Sequence, residues 1–303
     1  MPTASAIAEL LNAAHAEARA LPRVVAWPVE KPPLTEADIA AAREHTPDEF
    51  LCERDGVPIS GVAVNPSADR PGFLAWFATH PDHRRQGLAS DCLQRGLDLL
   101  SSRGVTQVQT GHFIDSRVTS ACAFLEHHGF TVRDPEHQNI VMQIDMDQYQ
   151  PEPIVLPEGY HIETLRPEWI PQYLEAKDRV FGGTTAGDWF EKTFSHRWDF
   201  EWDGWMTLWR GDEMIGMSGA DLFRDPAHPE RYCGAQIEYV GVVEGHRGLR
   251  LGEMIVRACL DYIKERGVPC QLITQIFRTP AVALYEKLGF RHMRQNRTYE
   301  RTL

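Results

Sequence analysis

Two short segments of this chain combine arginines with small residues at a spacing suited to holding phosphate. The first reads Arg84-Arg85-Gln86-Gly87-Leu88-Ala89 and the second Arg247-Gly248-Leu249-Arg250-Leu251-Gly252. Each follows a short apolar run, from Phe77 to Thr79 in one case and Val240-Gly241-Val242 in the other, and each opens onto a helical pattern. A strand that turns tightly into a helix leaves the first N–H groups of that helix unpaired and pointing outward. Small residues let a diphosphate reach those groups, and the helix dipole favours its negative charge. Arg84, Arg85 and Arg247 would add charge-assisted bonds. For either segment alone, a plain strand–turn–helix whose glycines only permit the turn is an equal reading. Two copies in matching context favour the phosphate site.

The copies belong to a longer repeat. Phe77 to Gly104 and Val240 to Gly267 each close on Arg-Gly, and each is followed by a second strand-like run and then a Gly-Phe pair, Gly129-Phe130 and Gly289-Phe290. A repeat this long is a duplicated domain and not a solenoid period. The duplicated segment resembles the acetyl-CoA-binding core of the GCN5-related N-acetyltransferase (GNAT) superfamily, whose loop pattern is Gln/Arg-x-x-Gly-x-Gly/Ala. The first loop fits this pattern fully, while the second carries Arg250 at the middle glycine. The family's later element is similar to Ala281 to Phe290, which contains Leu284-Tyr285-Glu286-Lys287-Leu288-Gly289-Phe290.

That resemblance implies two tandem α/β (α+β) acyltransferase domains, each a mixed, mostly antiparallel sheet flanked by helices and splayed where CoA enters. It implies acetyl-CoA as co-substrate and no metal. CoA contacts would fall on Val240, Gly241, Val242 and residues Arg247 to Gly252 in one copy. In the other they would fall on Phe77, Thr79 and residues Arg84 to Ala89. The chemistry is attack of an amine on a thioester, which needs a base for the amine and a proton for the leaving thiolate. The resemblance places the proton donor at Tyr285, where the first copy has Leu125, which has no proton to give. It places the base on the strand before the second loop. Glu238 is the candidate there, although the register implied is nearer Gln236, and a solvated strand carboxylate is the other reading. Simple alternation puts Gln236, Glu238, Val240 and Val242 on one face and Tyr239 on the other. Arg250 could fold over a CoA phosphate. Arg278 stands where the family usually has an asparagine, and in the first copy Val118 is nearest to that place.

Composition narrows the partners. Of 303 residues, 43% are hydrophobic and 24% charged, which is globular. The net charge of −12 is shared by both halves, which disfavours a nucleic-acid or anionic-membrane partner and suits a cationic amine acceptor, small molecule or peptide. The six cysteines form no C-x-x-C pair or metal spacing, and with no signal-peptide pattern they read as reduced thiols of a cytoplasmic protein. Six of the eight tryptophans lie between Trp169 and Trp209, with Asp199, Glu201 and Asp203 among them. They read either as an aromatic, acidic acceptor wall or as a tryptophan-rich core beside a solvated loop. Oligomeric state is left open by the sequence.

The elements that must position these residues recur in one order. Helices are expected over Ala4 to Ala20 and Thr35 to His45, the second capped by Thr35 with Asp38 three residues on. A hairpin is expected over Phe50 to Val64, turning at Asp55-Gly56. After the proline-bearing segment at 149–158, read as a linker, a strand, a helix and a hairpin turning at Gly211-Asp212 precede the second loop. The division expected is thus residues 1–148, a first domain that is structural or binds CoA without turnover, and 159–303, a catalytic domain. The tandem arrangement resembles in architecture the mycothiol synthases, which acetylate a cysteinyl amine. A non-enzymatic acyl-CoA-binding or regulatory protein is the competing reading, since each copy departs from the family pattern somewhere.

Overall fold

The computed structural model describes residues 2–16, 21, 34–45, 48–66, 71–111, 113–225 and 228–303. It resolves into two compact units. One contains the described residues up to Asn139 together with Arg294–Leu303, and the other contains Ile140–Met293.

In the first unit, α1 (Ala4–Ala14) and α2 (Glu36–His45) precede β1 (Asp48–Arg54), β2 (Val57–Asn65) and β3 (Gly72–Thr79). Then come α3 (Leu88–Ser102), β4 (Gln107–Thr110), β5 (Ile114–Asp115), α4 (Thr119–His127) and β6 (Thr131–Val132). The first helix ends at Ala14, with His15 as its C-cap, short of the Ala20 expected; Ala20 and Pro22 lie outside the described residues. At α2 the Asp38 N–H donates to Thr35 Oγ1 (3.3 Å) and the Thr35 N–H donates to Asp38 Oδ2 (2.7 Å), a reciprocal cap that satisfies two helix-end donors. Asp55 and Gly56 both have positive φ (52° and 77°), the backbone that a two-residue hairpin turn requires.

The second unit begins with β7 (Asn139–Ile144) and β8 (Tyr160–Thr164), followed by α5 (Ile170–Phe181), β9 (Trp205–Arg210), β10 (Glu213–Asp225) and β11 (His228–Val242). It continues with α6 (Leu251–Glu265), β12 (Cys270–Gln275), α7 (Thr279–Lys287) and β13 (Arg291–Arg297), and the chain ends on β14 (Tyr299–Thr302).

Strand order is β1-β2-β3-β4-β14-β6 in the first sheet, and the order β7-β12-β11-β10-β9-β8 runs through the second unit. The last strand of the chain therefore completes the first sheet, pairing with β4 through Glu300↔Gln109 and with β6 through Tyr299↔Val132. The strand over 139–144 lies in the second sheet. Chain order and unit order thus differ from a division at 148 and 159, because hydrophobic alternation marks a strand without saying which sheet it joins. The chain passes between units at 139–140 and 293–294, and residues 149–158 belong to the second unit.

Each unit packs one long helix onto its sheet. On α6, Val256, Cys259, Leu260 and Ile263 are buried at helical spacing against Ala220, Leu222, Ala235 and Ile237, and Leu251 and Ile255 against Leu208 and Ile215. On α3, Cys92, Leu93, Leu97 and Leu100 do the same against Val62, Val64 and Leu74. Each such fully buried side chain stabilises by roughly 1.5–3 kcal/mol before entropy is counted. The strand β10 is buried almost without interruption from Met214 to Phe223, because α6 covers one face and α5 with the aromatic cluster the other. No helix among the described residues is long and apolar enough to cross a membrane.

Candidate active site

The second sheet opens where the chemistry was expected. Strands β11 and β12 run parallel and pair through Ala235↔Cys270, Gln236↔Gln271 and Ile237↔Leu272, and the pairing stops there. From Glu238 onward β11 keeps a sheet partner among the described residues only in β10, so its other edge is not covered by a strand and can take an extended ligand. A bulge sits at the same place. Gly219 opposes Glu238 and Met217 opposes Gly241, so Tyr239 and Val240 face one residue, Ser218, and Tyr239 takes φ +48°.

The bulge overturns the simple alternation expected for this strand. Tyr239 packs in the aromatic cluster with Trp189, Phe194 and Trp205, while Val240 packs on the α6 side with Ile237 and Val256. One inserted residue exchanges the faces, so Tyr239 and Glu238 border the same side. That Glu238 also borders this cluster follows from its partner Gly219, where an added Cβ would lie 2.8 Å from the Trp205 ring.

Glu238 is half-buried, and burial pushes its carboxyl up to about 7, opposed by the amide hydrogen bond that Gln236 donates to it. The residue at the register the family implied, Gln236, is thus the hydrogen-bond partner of the candidate base. Gln236 in turn accepts from Gln271 Nε2 (2.7 Å). Beyond it along the same row, Asp221 is held by both arms of Arg197 (2.7 and 2.9 Å).

Tyr285 sits on α7 and is 6% exposed. It packs among Ile144, Leu260, Leu288 and Phe290, on the α6 side of the sheet. Burial pushes its phenol up to about 12, and its hydroxyl makes no hydrogen bond to any described residue. The corresponding Leu125 of the first unit is fully buried in that unit's core.

The two loops share a backbone but exchange their residue types. Each has two left-handed positions. They are Arg85 (φ 62°) and Gly87 (80°) in the first loop, and Gly248 (83°) and Arg250 (59°) in the second. Each loop therefore supplies glycine at one such position and holds an arginine in a strained backbone at the other. The N–H groups of Arg85 to Ala89 and of Gly248 to Gly252 make no backbone hydrogen bond among the described residues. That leaves an anion cradle at the start of each helix. Arg247 Nε donates to the carbonyl of Val242 (2.9 Å), folding its side chain back onto the strand end.

Arg250 does not reach outward in this structure. Its Nη2 and Nε pair with the Glu253 carboxylate (2.8 and 3.0 Å). Glu253 also takes Lys287 Nζ (2.6 Å) and Arg257 Nη2 (3.3 Å). The Arg250 hydrogen bonds and then Lys287 hold that carboxyl at about 2. Val242 is half-buried and Leu251 buried under the loop, whereas Leu249 is exposed. Arg278 caps α7 and lies over the rings of Phe181 and Phe277 at the open edge.

In the first unit the comparable strand end is narrower in chemistry. The Phe77 ring stacks on Phe124 (centroids 5.5 Å apart), where the second unit has Val240 and Leu284. The Thr79 hydroxyl bonds Ser60 (2.8 Å), and Arg84 donates to the Ala14 carbonyl (3.2 Å). Gln86 is exposed, with Leu88 half-buried behind it.

The tryptophan-rich stretch resolves toward core. Trp205 and Trp209 are buried among Tyr173, Phe190 and Phe194, although Trp198 is exposed. Two of its carboxylates, Asp199 and Glu201, are already paired, whereas Asp203 is exposed. Asp199 accepts from Arg197 Nε (3.1 Å), and Glu201 accepts from Arg224 and from the hydroxyls of Tyr232 (2.6 Å) and Tyr262 (2.7 Å). Asp199 and Glu201 are committed to internal partners rather than open to an ammonium.

Comparison with known proteins bears on the family and the fold. The profile of the Acetyltransferase (GNAT) family matches residues 7–130 and again 163–290. A mycothiol acetyltransferase of Catenulispora acidiphila is 26% identical over 78% of this chain and 74% of its own. A GCN5-related N-acetyltransferase from Sphaerobacter thermophilus superposes with a TM-score of 0.64 at 21% identity, covering 99% of this chain and 92% of that one. A tandem GNAT protein from the clavulanic acid biosynthesis pathway superposes with a TM-score of 0.63 at 16% identity, over 99% and 94%. The two structural likenesses speak for the fold.

Proposed function

Because this chain belongs to the GNAT acetyltransferase family, and so is an acetyl-CoA-dependent N-acetyltransferase acting on an amine, we propose that its second unit carries the reaction. Glu238 is the base and Tyr285 the acid. The observation that carries this reading is that Glu238, a carboxyl poised near neutrality, sits where the pairing of β11 with β12 stops, while the buried phenol of Tyr285 packs on the α6 face of the same sheet. The two cradle loops fit a diphosphate. The open edge of β11 at 238–242 fits an amide-bearing arm. The CoA contacts are accordingly assigned to Val240, Gly241, Val242 and residues 247–252.

At neutral pH Glu238 is shared between its ionised and neutral forms, so it can take a proton from an ammonium and release it again. As the amine nitrogen bonds to the thioester carbonyl carbon, its surplus proton passes to Glu238. The carbon–sulfur bond breaks and the thiolate receives the Tyr285 proton, which leaves an amide and a thiol. A phenol near 12 keeps its proton until the thiolate forms beside it. Backbone N–H groups freed by the bulge would steady the transient oxyanion.

The first unit is proposed to be non-catalytic, on the ground of Leu125. The acceptor is proposed to be a primary amine of a small molecule or peptide, and a cysteinyl amine belongs in any test panel because relatives over most of the chain are named mycothiol acetyltransferases. Thiol release from acetyl-CoA, followed across amine acceptors, is the direct test. Tyr285→Phe should lower turnover on a good acceptor by roughly ten- to a thousand-fold with little change in CoA affinity. Unchanged turnover would reduce Tyr285 to a packing residue.

A further inference from the structure

Three polar side chains cross the second sheet in one row on the side that Glu238 borders. Asp221 of β10 opposes Gln236 of β11, and Gln236 is paired in turn with Gln271 of β12. All three are nearly inaccessible, at 3%, 6% and 5% exposed. Glutamines in such places must have their amides satisfied, and the way these two are satisfied has a direction. Gln236 can present either its NH2 or its carbonyl oxygen to Glu238. It presents the NH2 because its oxygen is already taken by Gln271 Nε2 at 2.7 Å. A reversed Gln236 would set two donors against each other on the Gln271 side and two acceptors against each other on the Glu238 side.

We propose that Gln271 is a positioning residue for the base, acting through Gln236: it orients the Gln236 amide so that a donor, and not an acceptor, faces the Glu238 carboxylate. The proposal rests on the reading of Glu238 as the base. Its consequence is that a residue one strand away from Glu238, with no hydrogen bond to it, sets the pH range in which the base is ionised. A donated hydrogen bond favours the carboxylate, whereas an opposed carbonyl oxygen disfavours it.

The other groups around Glu238 do not supply this control. Asp221 disfavours its charge and Arg197 favours it, but those two are bound to each other by two hydrogen bonds. From α5 and β11, Tyr173 and Tyr239 border it as neutral phenols, both raised by burial first and by the Glu238 charge among the further causes. Lys177 of α5 is directed over the Trp189 and Tyr239 rings and donates to Thr185 Oγ1 (2.8 Å). Asp199 is paired with Arg197 (3.1 Å). Gln236 is the group that donates directly to the carboxylate.

The test compares the pH dependence of turnover on the full chain for wild type, Gln271→Met, Gln271→Glu, Gln236→Met and the double variant Gln236→Met/Gln271→Met, with Glu238→Gln as reference. Gln271→Met keeps the bulk and removes the donor, so the acid limb should move up by about one pH unit. Gln271→Glu, whose carboxylate draws the Gln236 amide toward itself and turns its oxygen to Glu238, should move it further in the same direction. The double variant should move no further than Gln236→Met alone, because Gln271 acts only through Gln236. A purely structural role would lower melting temperature or rate without moving the limb. If Glu238→Gln abolishes the limb while Gln271→Met and Gln271→Glu leave its midpoint where it is in wild type, the positioning role is wrong and the base stands. If Glu238→Gln keeps the limb, the base assignment fails and this proposal with it.

Discussion

Replacing Tyr299 by alanine should unfold the first unit well before the second, although Tyr299 is four residues from the end of the chain. Its ring is fully buried in the first unit's core, its N–H donates to Thr110 Oγ1 (3.0 Å), and its hydroxyl donates to Glu126 (3.1 Å). It belongs to β14, the strand that joins β4 to β6. Truncating a buried aromatic to alanine costs about 3–5 kcal/mol through lost burial and the cavity left behind. At about 2–4 °C per kcal/mol for a unit of this size, its melting transition should fall by roughly 6–20 °C. Scanning calorimetry on the intact chain would separate a shifted first-unit transition from an unshifted second one. The same reasoning predicts that a fragment of residues 1–148 shows no cooperative transition, since it lacks β14 and carries β7 without its sheet. A Tyr299→Ala transition within about 2 °C of wild type, or a 1–148 fragment that melts as it does in the full chain, would refute the strand exchange as a source of stability.

Two further substitutions probe the site's surroundings. Gly219→Ala places a methyl 2.8 Å from ring carbons of the fully buried Trp205, so urea unfolding should show a loss of about 1–3 kcal/mol; unchanged stability would mean that the cluster beside Glu238 is loosely packed. Arg250→Gly removes a side chain from a left-handed position and leaves Glu253 with Lys287 and Arg257. If Arg250 swings from Glu253 to a phosphate when acetyl-CoA binds, the Michaelis constant for acetyl-CoA should rise several-fold and the effect should shrink with added salt; an equal or lower constant would show that glycine is the better residue there.

What was legible in the sequence was local. The two Arg-Gly loops and the Leu284-to-Phe290 element are contiguous, so their residue types and spacing point to the strand–turn–helix and the late helix on which the proposed cradle and Tyr285 lie. The cap at Thr35 and Asp38 and the turn at Asp55-Gly56 were legible for the same reason. Features that depend on a partner strand were not. The bulge at Tyr239 and Val240 arises because both face Ser218, and nothing within 236–242 announces it. β14 reads as one more strand after α7, and only the first sheet's gap between β4 and β6 gives it a place. Glu201 looked open to a cation because its partners, Arg224, Tyr232 and Tyr262, lie 23 or more residues away. Gln271 was missed, though a lone glutamine in the apolar run Cys270-Gln271-Leu272-Ile273 is a signal that a buried polar contact awaits it.

The assignment of the reaction to the second unit stands or falls on Glu238. Because burial raises this carboxyl to about 7, a larger share of it is protonated at a given pH than for an ordinary glutamate, and only the ionised form can accept the amine's proton. Turnover with saturating acetyl-CoA, at matched concentrations of neutral amine, should therefore fall about tenfold for each pH unit below roughly 7 and level off above it. In Glu238→Gln the rate should drop by on the order of a hundred-fold or more and lose that limb. A Glu238→Gln protein that keeps wild-type turnover with the same acid limb would contradict the account and place the base elsewhere.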